Sequence, residues 1–243
     1  MISVCMATFN GQLYIKEQLE SILKQISPED EIIISDDGST DDTIGVIRSF
    51  QSPIIHIYTN EGEHGYTPNF ENALRHAKGD YIFICDQDDI WREDKVKKMV
   101  GCLQKYDLVI SDAKVVDHTG KNVIKDSFFS LRKSRQGLIN NLIRYSYLGC
   151  CTAFNKKILD KALPFPKNHS YCTHDNWLCI VGMSFFKAKV IDDKLISYRR
   201  HKGNTSSGGV EDRTTLFFKI NYRIYLIWWL LKRGLLKSLV QKS

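Results

Sequence analysis

Ile82-Phe83-Ile84-Cys85-Asp86-Gln87-Asp88-Asp89-Ile90-Trp91 is a short apolar run that breaks into carboxylates. Gly79-Asp80 precedes it, so the apolar part reads as a buried strand. Asp86 and Asp88 are two apart, and an extended chain places them on one side. Like charges this close destabilise one another unless a cation or a donor meets them. A hard divalent cation takes one or two carboxylates together with phosphate oxygens. The stretch therefore reads as a metal site for a phosphorylated substrate. The competing reading is a solvated acidic turn that caps the next helix, a place that suits Asp89.

Upstream, the same pattern repeats. Ile2 to Ala7 is apolar and strand-like, and Asn10-Gly11 breaks it. Ile15, Leu19, Ile22, Leu23 and Ile26 then follow helical spacing up to Ser27-Pro28. Glu31 to Ser35 is a second strand. Asp36-Asp37-Gly38-Ser39-Thr40-Asp41-Asp42 follows it, with Ser39 and Asp42 spaced as a capping box for a helix carrying Ile44 and Ile47. Ile54 to Tyr58 is a third strand. Thr67-Pro68 predicts a helix start, Phe70, Ala73, Leu74 and Ala77 its buried stripe, and Gly79 its end. Downstream, Val96, Met99, Val100 and Leu103 mark a helix, and Leu108 to Ile110 a fifth strand. This alternation argues for an α/β fold: an open, mainly parallel sheet flanked by helices. Ligands of such sheets bind beyond the carboxyl ends of the strands. Thr8, Asp36-Asp37 and Asp86-Gln87-Asp88 each sit where a strand ends.

The middle is less regular. Asp117-His118-Thr119-Gly120 predicts a hairpin turn, and Ser127 to Tyr147 a loop with a short helix beside the site. Gly149 to Phe154 reads as a strand, Lys156 to Leu163 as a helix, and His174-Asp175-Asn176-Trp177 opens another. Lys189 to Ile191 and Leu195 to Tyr198 look like two short strands.

With 243 residues, the chain is long enough for one domain with a sizeable core, or for one domain plus an appendage. The net charge of +6 is uneven: past Arg213 there are Lys219, Arg223, Lys232, Arg233, Lys237 and Lys242, and no acid. That points to an anionic surface, not a nucleic-acid fold. The cysteines number 7, an odd count without a C-x-x-C pair, which favours a reducing compartment. No signal peptide is read at the start, because Ile2 already begins a strand. The apolar run Ile224 to Leu231 is too short to span a bilayer. A basic helix carrying Trp228-Trp229 suits a membrane interface, or it packs on its own domain.

Val4-Cys5-Met6-Ala7-Thr8-Phe9-Asn10, Ser35 to Asp41, Cys85 to Trp91, His174 to Trp177 and Tyr198-Arg199-Arg200-His201 appear in that order. Together they resemble the family 2 glycosyltransferases of the GT-A fold, in the bacterial rhamnosyltransferase-like, O-antigen branch. The resemblance covers roughly residues 1–205 as a GT-A domain and leaves 206–243 as a basic amphipathic membrane-associated tail. It implies that Ala7, Thr8 and Asn10 line a nucleotide pocket, that Asp37 contacts base or ribose with Asp36 beside it, and that Asp86 and Gln87 face ribose and sugar. It further implies that Asp88 ligates Mn2+ or Mg2+, that His201 completes the metal shell or touches the diphosphate, and that Asp175 is the general base. Arg200 is a candidate contact to the diphosphate.

The activity so implied is an inverting, metal-dependent transfer of one sugar from UDP-hexose or dTDP-rhamnose. The implied acceptor is a lipid-linked saccharide on undecaprenyl diphosphate, at the cytoplasmic face of the bacterial inner membrane. Many members carry Glu-Asp at the base, where this chain has His174-Asp175. The Q-x-x-R-W element of processive synthases does not occur, which favours one sugar per encounter. The alternatives are a nucleotidyltransferase, which lacks support from a glycine-rich basic first loop, and a non-catalytic carbohydrate-binding module.

Overall fold

The computed structural model describes residues 1–204 and 215–240, with side chains described as far as 234. Its first half follows the alternation in the sequence. β1 (Ile2–Thr8) leads through α1 (Ile15–Leu23) to β2 (Glu31–Asp36). α2 (Thr43–Arg48) leads to β3 (Ile55–Thr59), and α3 (Tyr66–His76) to β4 (Tyr81–Cys85). These strands pair in parallel in the order β3-β2-β1-β4. Val4 to Met6, Ile32 to Ile34 and Ile82 to Cys85 are fully buried. Continuous apolar runs are what a strand covered on both faces requires.

The second half bends the simple pattern. After β5 (Ile90–Trp91) and α4 (Lys95–Leu103) comes β6 (Leu108–Val116), whose hairpin partner is β7 (Val123–Lys125). Two short helices follow, α5 (Phe128–Arg132) and α6 (Leu138–Ile143). Then come β8 (Thr152–Asn155), α7 (Leu159–Ala162), α8 (His174–Phe185), β9 (Ala188–Arg199) and α9 (Leu216–Val240). β8 lies antiparallel between β4 and β6, so β6 regains the direction of β4, and β9 runs parallel to β6. Hence β1, β2, β3, β4, β6 and β9 all point one way, and their carboxyl ends share one edge of the sheet.

Several local expectations need correction. The helix at Thr67-Pro68 begins at Tyr66, with Gly65 (φ 120) ahead of it. Pro68 therefore sits in the first turn, where a missing N–H costs nothing. The predicted capping box does not form: Asp42 precedes α2 without a side-chain cap, because Ser39 is already engaged with Asp36. The two short strands at 189–198 are one strand, β9, with irregular register opposite Ser111 to Ala113. Gly79 stands past the end of α3, where an added Cβ would lie 2.7 Å from the backbone nitrogen of Ser3. The expected boundary between 1–205 and 206–243 falls on residues outside those described.

Strand order changes direction between β1 and β4. β1 feeds leftward to β2 and β3, and β4 returns on the other side of β1. This is a topological switch point, the place beyond whose strand ends open α/β sheets bind their ligands. Thr8 ends β1 and Asp86 directly follows β4 there.

Candidate active site

The loop after β2 is built on Asp36. Its Oδ1 accepts from the hydroxyls of Thr8 (2.9 Å) and Ser39 (2.6 Å), and its Oδ2 from the amides of Gly38 (3.1 Å) and Ser39 (2.8 Å). Asp36 therefore faces inward and fixes the loop. Asp37 faces the next loop: its Oδ1 accepts from Asn60 Nδ2 (2.7 Å) and its Oδ2 from the Gly65 amide (2.7 Å). The loop after β1 is locked to both. Asn10 adopts φ 48, and its Oδ1 accepts from the Thr40 amide (2.8 Å). Asn tolerates that left-handed conformation through its short polar side chain. Ala7 is half-buried beneath this loop.

The loop after β4 is bent, not extended, over Asp86 to Asp89. The extended-chain placement expected for Asp86 and Asp88 therefore does not apply, and the charges of Asp88 and Asp89 still bear on Asp86. Gln87 clamps the first loop. Its Oε1 accepts from the Phe9 amide (3.0 Å), and its Nε2 donates to the Phe9 carbonyl (3.0 Å). Asp88 Oδ2 lies 2.7 Å from His201 Nε2 and accepts from Asn204 Nδ2 (3.0 Å). Asp89 is not the exposed helix cap expected of it. It is fully buried, and its Oδ1 accepts from the backbone N–H of Arg199 (2.9 Å).

Arg199 itself is a pin, not a substrate ligand. Its guanidinium donates to the carbonyls of Asp88 (2.7 Å) and His118 (2.9 Å) and pairs with Glu17. Arg200 instead faces an open cavity of about 900 Å³, lined with Phe9, Asn10, Tyr14, Gln87 and His201.

Asp175 stands in the first turn of α8. Its Oδ1 accepts from the Asn176 amide (2.8 Å) and from the hydroxyl of Thr173. Capping and chemistry are thus compatible at this carboxylate. Its charge reaches Tyr66, Tyr145 and Asp86. Tyr66 directly follows Gly65, which Asp37 holds, so the start of α3 bridges Asp37 to Asp175. Gly149 passes so close that an added Cβ would lie 3.0 Å from Asp175 Cβ.

Asp86 therefore lies within electrostatic reach of both Asp88 and Asp175. Burial, then the charges of Asp89, Asp88 and Asp175, push Asp86 well above the usual carboxylate range. Burial and the Asp88 charge raise Asp89 likewise, and its buried Oδ2 has no hydrogen-bond partner. Buried carboxylates that repel one another in this way are short of positive charge to offset them, and a divalent cation fits such a cluster. Asp88 and His201, each 13% exposed at the side chain, bring an oxygen and a nitrogen donor together, and His201 lines the cavity. Asp86, Asp89 and Cys150 also bring ligand atoms within 4.8 Å of one another. Asp89 and Cys150 are sealed in the core, however, and a thiol suits a hard cation poorly.

The sequence reading missed Phe9, Tyr14 and Tyr145. Phe9 and Tyr14 lay beside the Asn-Gly turn, and an aromatic next to a strand-end loop was the available signal. Tyr145 lay in a stretch without periodicity, so nothing marked it.

Residues 3–163 match the family described as Glycosyl transferase family 2. The dTDP-rhamnosyl transferase RfbG of Shigella flexneri is 30% identical over 237 residues, which cover 90% of this chain and 77% of that protein. The UDP-Glc:alpha-D-GlcNAc-diphosphoundecaprenol beta-1,3-glucosyltransferase WfaP of Escherichia coli is 26% identical over 248 residues, covering 98% and 95%. Among solved structures, S. aureus TarS 1–349 in complex with UDP-GlcNAc superposes with a TM-score of 0.71 at 20% identity. It covers 93% of this chain, which spans 66% of that one.

Proposed function

The chain belongs to the family 2 glycosyltransferases and is a glycosyltransferase, and from that premise we propose an inverting, metal-dependent, non-processive transfer of one sugar. The donor is a UDP-hexose or dTDP-rhamnose, and the acceptor a saccharide on undecaprenyl diphosphate. The relatives named for dTDP-rhamnosyl and for UDP-Glc transfer to a diphosphoundecaprenol acceptor support both halves of this reading. What supports it most is the gathering of carboxylates at one sheet edge: Asp86 feels the charges of both Asp88, which pairs with His201, and Asp175.

Asp175 takes the proton of the acceptor hydroxyl as its oxygen attacks the anomeric carbon. The bond from that carbon to the diphosphate oxygen breaks, and its electron pair leaves with the diphosphate. One displacement inverts the anomeric centre. Asp88 and His201 would hold Mn2+ or Mg2+, which when bound would supply positive charge to offset that growing on the leaving diphosphate. Arg200 meets the same diphosphate from the cavity wall. Phe9 offers a flat face to the base, while Ala7, Thr8, Asn10 and Asp37 shape its pocket. Asp36 and Gln87 hold the loops, and Asp86 faces the donor sugar. Residues 1–205 form the catalytic domain in this reading, and 206–243 a membrane-associated tail on the cytoplasmic face of the inner membrane.

Transfer from UDP-glucose and dTDP-rhamnose to a GlcNAc-diphosphate-lipid, with and without EDTA, tests this directly. One added sugar of inverted anomeric configuration, lost in EDTA and restored by Mn2+, is expected. Undiminished transfer in EDTA would remove the metal. Retained configuration would remove the single displacement.

A further inference from the structure

α9 has two unlike faces. One is docked. Leu226 is fully buried, Tyr222 donates to the carbonyls of Leu142 and Ile143 (both 3.1 Å), and Arg233 donates to the Leu163 carbonyl (3.0 Å). The other is apolar and exposed. Phe217, Ile220, Ile224, Ile227 and Leu231 recur at alternating spacings of three and four, with Trp228 beside them. Such a stripe ordinarily faces a core, yet Phe217 is 75% exposed.

The stripe does not end with α9. Arg223 Nε donates to the Leu142 carbonyl (3.2 Å) at the end of α6. On α6, Ile139 (72% exposed) and Ile143 are also uncovered. Two helices, joined at Arg223, thus present apolar residues to the outside.

Charge says what covers them. Residues 127–147 contain Arg132, Lys133, Arg135 and Arg144 and no Asp or Glu; residues 215–240 contain Lys219, Arg223, Lys232, Arg233 and Lys237 and no Asp or Glu. Lys232 Nζ sits 5.1 Å from the Trp228 ring centre and 4.8 Å from that of Trp229. An apolar strip edged by cations and tryptophan matches the boundary of an anionic bilayer. Pairing with a second copy would set two acid-free basic helices side by side, without the opposite charges that flank a coiled-coil seam. Among the described residues, no helix is long and apolar enough to cross a membrane.

We propose that the exposed faces of α6 and α9 form one docking surface for an anionic phospholipid bilayer, and that this surface turns the Asp175 end of the site toward the membrane. Tyr145 follows α6 by two residues, and burial, then the Asp175 charge beside it, push its phenol up. The second half of the proposal rests on the acceptor being lipid-linked. The first half does not.

The test is flotation of the full chain, without substrate, with phosphatidylcholine vesicles and with vesicles containing phosphatidylglycerol. Binding is expected only with phosphatidylglycerol. Ile224→Glu and, separately, Ile139→Glu with Ile143→Glu should each cut the bound fraction at least tenfold. Transfer to a water-soluble acceptor should stay within about twofold, since none of these residues lines the site. Ile224→Ser serves if the Glu variant misfolds. Wild-type flotation by the α9 variant would overturn the surface, and by the α6 variant would remove α6 from it. A dimer that Ile224→Glu converts to monomer, with no vesicle binding, would assign the face to a second copy. Vesicle binding without transfer to any acceptor would fault the acceptor reading and leave the surface standing.

Discussion

Asp175 is oriented before any substrate arrives, because Thr173 and the Asn176 amide already hold its Oδ1. Replacing it by Asn keeps size and hydrogen bonding but removes the base. Asp175→Asn should lower kcat by about 10²–10⁴ while the donor Kd, measured by calorimetry with Mn2+ and UDP, changes little. An equal loss in donor affinity would place Asp175 in binding instead. Asp88→Ala should act the other way: donor affinity and turnover fall together, because the carboxylate paired with His201 is lost. Both residues were legible in the sequence, since each ends or opens an element next to a recognisable pattern. Asp36 and Gln87 were legible as site residues but not in their orientation. Nothing in a linear string says that Asp36 spends its oxygens on Thr8, Gly38 and Ser39, or that Gln87 spends its amide on Phe9. Those are long-range pairings that only the closed loops create.

Elements are tied together at this site by β9. It ends in Arg199, whose guanidinium reaches the Asp88 carbonyl, the His118 carbonyl and Glu17 of α1, over the Tyr14 ring at 4.9 Å. One buried side chain thus joins the loop after β4, the β6–β7 hairpin and the start of α1. It also sets the position of His201, two residues on. Arg199→Met keeps the apolar stem and strands those acceptors. It should cost on the order of 3 kcal/mol in urea unfolding and weaken metal-dependent donor binding as well. Unchanged stability would show that the neighbours rearrange around the gap. Nothing local in the sequence distinguishes Arg199 from Arg200; burial separates the pin from the arginine that faces the cavity. The same blindness split β9 into two strands, because Asp192-Asp193-Lys194 looks like a loop when the irregular pairing beside Ser111 and Asp112 is unknown.

At the scale of the molecule, the parallel half was readable because strands covered on both faces must be continuously apolar. The inserted β8, which returns β6 and β9 to the common direction, was not, because a single reversed strand carries no local mark. That reversal is what brings His201 to Asp88 and packs α8 against α3. The α3–α8 contact buries His174, stacked 4.0 Å from the Phe70 ring with both ring nitrogens unpartnered. Burial lowers its pKa from 6.5 to about 4. The folded state therefore refuses a proton that the unfolded chain accepts. Stability is unaffected well above pH 6.5 and is lost as pH falls from there toward 4, by about 2.5 kcal/mol at pH 4.5. His174→Phe keeps the stack and removes the titration. Other groups contribute equally to both proteins, so the difference between their melting temperatures isolates this one. Between pH 7.5 and pH 4.5 the wild type should lose roughly 5–10 °C more than the variant, measured by differential scanning calorimetry. Parallel curves would mean that His174 gains a partner or water on acidification, and that the α3–α8 contact opens more readily than its packing implies.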